Sequence, residues 1–161
     1  MKRIMLIAIL VTLAPLESNA EENNECLYNQ DAFIKMYAPI KKKYTHKKFL
    51  KREQALEIKL PDSKVIVRYF GCEHYGTEIK YFVDRSRPYP DKEIFDKTVD
   101  LISKFGQERI DPNVLDKLLK KGKYEKIENH TFFVNYQGMD EFSITVNGQA
   151  AKPLIEISFY N

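Results

Sequence analysis

The stretch Leu56-Glu57-Ile58-Lys59-Leu60-Pro61-Asp62-Ser63-Lys64-Val65-Ile66-Val67-Arg68-Tyr69 decides the fold class. Leu56, Ile58 and Leu60 alternate with Glu57 and Lys59, so an extended chain here has one apolar and one charged face. Pro61-Asp62-Ser63 then supplies turn chemistry, because proline presets φ and the short polar side chains bond back to their own backbone. Val65, Val67 and Tyr69 resume the alternation. Two period-two runs joined by a short turn predict an antiparallel hairpin, half-buried on a core.

Working outward, Ile79, Tyr81 and Val83 alternate with Lys80 and Phe82 after Gly76, which predicts a third strand. On the other side, Phe33, Met36, Tyr37 and Ile40 recur at helical spacing, giving an amphipathic helix bent or ended near Pro39. Asp84 to Pro90, with two prolines and two arginines, reads as a loop. Ile94, Phe95, Thr98, Ile102 and Phe105 then share one helical face from Asp91 onward, and Gly106 is placed to end that helix. A second helix has Asp111 as cap and Pro112 in its first turn, carries Val114, Leu115, Leu118 and Leu119, and stops at Gly122.

Strands return in the last third: Tyr124 to Tyr136, Glu141 to Val146 closed by Asn147-Gly148, and Leu154 to Tyr160. The expected architecture is an α+β domain, an antiparallel sheet of about six strands with two or three helices on one side, in the order α-βββ-αα-βββ. Strands grouped in runs argue against a doubly wound nucleotide binder. No internal repeat is evident in the sequence.

The N-terminus has a different character. Lys2 and Arg3 precede an apolar run from Ile4 to Leu13, followed by Pro15, Glu17, Ser18 and Ala20. A basic start, a short apolar segment and small residues at the minus-three and minus-one positions predict a secretory signal over residues 1–20, cleaved after Ala20. Interrupted by Pro15 and Glu17, the run falls short of the roughly 18 apolar residues that span a bilayer, so no membrane span is expected after cleavage. The mature chain, residues 21–161, suits a single domain. With net charge +3 for the whole chain, overall charge does not call for nucleic acid.

Cys26 and Cys72 are the only cysteines. In an exported chain they are expected to form one disulfide, stapling the N-terminal segment to the middle of the domain and contributing about 4 kcal/mol in the loop-entropy picture. No Cys-x-x-Cys spacing suggests redox chemistry.

Catalytic motifs are lacking: there is no Gly-x-Ser-x-Gly elbow, no phosphate-binding glycine loop and no His-Glu-x-x-His string. The three histidines are scattered, so neither a metal nor a cofactor is expected, and the balance leans away from an enzyme. Three other features could carry recognition. In Gly71-Cys72-Glu73-His74-Tyr75-Gly76, two glycines bracket a possible bulge and put Glu73, His74 and Tyr75 in a candidate contact. Arg85, Arg87 and Tyr89 lie in a loop stiffened by Pro88 and Pro90, and arginine and tyrosine are favoured at interfaces. Lys41, Lys42, Lys43, Lys47, Lys48, Lys51 and Arg52 form a basic patch with interleaved aromatics that suits an anionic partner.

Export, small size and the lack of catalytic motifs together predict a periplasmic protein-binding module, such as an inhibitor or immunity-type protein that neutralises an envelope hydrolase or toxin. The alternative is a domain that binds a small molecule or an anionic envelope polymer. Nucleic acid is not an expected partner in that compartment.

Overall fold

The computed structural model describes residues 30–71, 75–83, 89–127, 130–147 and 154–160. Helices α1 (Gln30–Met36) and α2 (Ala38–Lys43) lead into strands β1 (Lys47–Leu50), β2 (Ala55–Leu60), β3 (Ser63–Gly71) and β4 (Tyr75–Val83). Helices α3 (Asp91–Phe105) and α4 (Pro112–Lys120) follow, and then β5 (Tyr124–Ile127), β6 (Thr131–Val134), β7 (Glu141–Asn147) and β8 (Leu154–Tyr160). All eight strands form one antiparallel sheet in the order β1-β2-β3-β4-β8-β7-β6-β5.

The α+β class and the antiparallel sheet agree with the sequence reading, but the strand count is eight rather than six. One extra strand is β1, inside the basic stretch, whose four residues begin with two lysines and show no apolar alternation. It lies at the sheet edge, where lysines oppose pairing with another chain. The other arises because Tyr124 to Tyr136 is two strands, not one. The chain reverses between Ile127 and Thr131, with His130 at φ +59, and no glycine or proline announces that turn.

The first helix breaks at Tyr37, because Pro39 in the first turn of α2 has no N–H to offer the preceding turn. The two later helices sit where their caps predict. Asp111 accepts the Asn113 N–H at 2.8 Å, and Gly106 ends α3 by donating to Ile102 O. At Gly106 the requirement is space rather than φ: a Cβ would lie 2.7 Å from that same carbonyl oxygen.

Register explains why the helices share one side. Leu56, Val67, Ile79, Ile157, Ile144 and Phe132 lie in a row across six strands, and each is essentially inaccessible. Phe33, Ile40, Ile94, Leu101, Phe105, Leu115 and Leu119 from the four helices, and Tyr37 at the α1–α2 break, join them in one core. Each fully buried aliphatic side chain there contributes about 1.5–3 kcal/mol. No helix among the described residues is long and apolar enough to cross a membrane.

The topology contains a repeat that the sequence does not display. Two helices and a four-strand meander occur twice, and the meanders meet at the β4–β8 seam in mirrored order. An approximate two-fold axis normal to the sheet at that seam relates β1–β4 to β5–β8.

Candidate functional site

Of the expected contact residues, the two that are described, Tyr75 and Tyr89, do not lie together. Tyr75 begins β4, whereas Tyr89 lines a cleft with Tyr81 and Val83 toward the strand's other end. Tyr75 is 2% exposed, and Tyr89 9%. The Tyr75 ring lies near Tyr69 and Phe33, with the Arg109 guanidinium 3.5 Å from its centroid. Its hydroxyl donates to Gln107 Oε1 at 3.2 Å, while Gln107 Nε2 donates to Met36 O at 2.9 Å. This tyrosine therefore ties α1, β4 and the α3–α4 corner together. Cys26, Cys72, Glu73, His74, Arg85 and Arg87 lie outside the described residues, and so does the expected disulfide.

The basic patch divides by role. Lys47 Nζ donates to the Lys41 and Tyr44 carbonyl oxygens at the end of α2, so it caps a helix. Lys41 stands over the Phe49 ring and Lys43 over Tyr44. Lys42 on α2, Lys48 in β1, and Lys51 and Arg52 in the turn that follows it remain exposed. A cleft of about 380 Å³ beside β1 is lined by Thr45, His46, Lys47, Lys48, Glu57 and Lys59.

What the structure does bring together is the sheet face opposite the helices, which no helix covers among the described residues. Ile66, Phe70 and Phe82 occupy its first half, and Ile127, Phe133 and Leu154 its second. All six are at least partly accessible. Charged side chains stand between them. Lys80, in the centre, lies 3.1 Å from Glu78 and 3.3 Å from Glu156. Partial burial disfavours its charge, but the two carboxylates outweigh that and raise its pKa above the usual lysine value. Lys64 pairs with Glu57 at 3.5 Å and lies over Phe82, while Arg68 lies over Phe70. Tyr160 donates to Glu141 at 3.0 Å, which raises the phenol's pKa.

The charges on this face are segregated. The β1–β4 half carries Lys48, Lys59, Lys64, Arg68 and Lys80 against Glu57 and Glu78. The β5–β8 half carries Glu125, Glu141 and Glu156, with no cation among its described residues. Period-two reading finds the individual positions. The segregation depends on which strands are neighbours, and a single strand does not reveal that.

The remaining hollows are open clefts. One, of about 540 Å³, lies at the β2–β3 turn against Phe82 and Val83. Among the described residues, no three His, Cys, Asp or Glu side chains gather where a metal could sit. No protein-family model, curated protein or solved structure matches the chain.

Proposed function

We propose that this chain is an exported protein-binding module of the inhibitor or immunity type, and that its partner docks on the open sheet face. The observation that carries this reading is the face itself: six large apolar side chains distributed among segregated charges on a rigid eight-stranded support. Accessible apolar area framed by oriented charge suits protein recognition, in which aromatics supply burial and charges set orientation. The chemistry expected of the partner is an acidic patch against β1–β4 beside a basic patch against β5–β8. The periplasm is the proposed location, on the strength of the N-terminal signal pattern.

The test is affinity capture from periplasmic extract with residues 21–161 and with an Ile66→Asp/Phe82→Asp variant, read by mass spectrometry. One protein captured stoichiometrically by the native chain and lost by the variant supports the reading; capture unaffected by the variant overturns it. A second reading, binding of an anionic envelope polymer, draws on the exposed Lys42, Lys48, Lys51 and Arg52 and the adjoining cleft. It predicts capture on immobilised polyanion that the face variant does not disturb.

A further inference from the structure

We propose that the open face also binds a second copy of this chain, forming a symmetric face-to-face dimer; this rests on the reading of that face as a docking surface and names an occupant for it. The charge pattern is self-complementary in only one arrangement. A two-fold axis parallel to the strands at the β4–β8 seam lays the cationic β1–β4 half of one copy over the acidic β5–β8 half of the other. An axis across the strands would stack like on like, which costs free energy.

The seam residues fit the first arrangement in detail. Residues paired across β4 and β8 exchange places under that axis, so Phe82 of each copy meets Leu154 of the other. Lys80 likewise meets Glu156, and Tyr160 meets the Phe70 ring that covers Gly76. Closely packed sheets stand about 10 Å apart, a gap that such interdigitating side chains fill. Eight strands at about 4.8 Å and a central length of about 20 Å give a footprint on the order of 800 Å² per copy, the size of a standard stable interface. Lys48, Lys59, Arg68 and Glu125 form no ion pair among the described residues, so they are available to a facing molecule. Self-association would cover the face until a target competes for it.

Sedimentation of residues 21–161 at about 100 µM in low salt tests the dimer. The native chain should run at twice the monomer mass and shift toward monomer as salt screens the charges. Lys59→Glu/Arg68→Glu should be monomeric, having two acidic halves. Glu125→Lys/Glu141→Lys should also be monomeric, having two basic halves. An equimolar mixture of the two variants should recover a dimer containing one of each, an outcome that a general loss of stability would not produce. Circular dichroism of each variant confirms its fold. A monomeric native chain overturns the dimer, as does a dimer that persists in both charge variants. If the native chain is monomeric but Ile66→Asp/Phe82→Asp still abolishes target capture, the dimer fails and the protein-binding reading stands.

Discussion

The backbone N–H of Tyr69 donates to the phenol oxygen of Tyr37 at 3.0 Å, and that same phenol donates to Gln54 O at 2.8 Å. One buried hydroxyl thus joins the kinked first helix to β3 and to the β1–β2 turn, where Gln54 sits at φ +50. Tyr37→Phe keeps the ring but leaves an amide and a carbonyl without their partner. Urea unfolding should show a loss of about 1–3 kcal/mol, more than removing a solvated hydroxyl would cause. A loss within a few tenths would mean that water replaces the phenol.

Alkaline stability follows from the same cluster. Burial raises the pKa of Tyr37, Tyr44 and Tyr69 above the ordinary value of 10.0, most strongly for Tyr69, whose hydroxyl donates to Phe105 O. These groups hold their protons in the folded state at pH values where the unfolded chain has released them. Their contribution is complete below pH 10 and is lost as pH rises above it. Denaturation midpoints should fall steadily from about pH 10 upward, with phenolate absorbance from these rings appearing together with unfolding. Titration of all ten tyrosines in a folded chain would contradict this.

Thr77 tests the polar accounting of the core. Its side chain is fully buried on the helix side of β4, and its hydroxyl has no partner among the described residues. Thr77→Val keeps the shape and removes an unsatisfied group, so stability should rise by about 1 kcal/mol. Unchanged or lower stability would indicate a partner for that hydroxyl outside the described residues.

The basic stretch should separate by substitution. Lys47→Met removes the cation that caps α2, at a cost of about 0.5–1 kcal/mol, and should leave retention on immobilised polyanion nearly unchanged. Lys42→Ser/Lys51→Ser should do the reverse, weakening retention without moving the unfolding midpoint. Equal retention losses in both variants would refute the division of roles.

The parts of the fold legible in the sequence are those whose signals are local. Alternation found β2, β3, β4, β7 and β8, while Asp111, Pro112 and Gly106 bounded the later helices. β1 was hidden because an edge strand is recognised by its neighbour rather than by its own composition. The β5–β6 turn was hidden because His130, not glycine, takes the positive φ. The candidate site was less legible still. Tyrosine at a strand end has the composition of a contact, yet Tyr75 is buried by its stacking and by Gln107, 32 residues away in sequence. The charge-segregated face emerges only once strands distant in the chain become neighbours.

The β4–β8 seam has a kinetic consequence. Within each half, strands pair with neighbours close in sequence and can zip without long loop closure, whereas β4 and β8 are joined across some seventy-five residues. Until that last ladder closes, each half exposes an unpaired edge whose natural complement is the other half, from the same molecule or from another. Exchange of halves between molecules is thus the characteristic misassembly of this architecture, and the speed of seam closure governs how much chain escapes it.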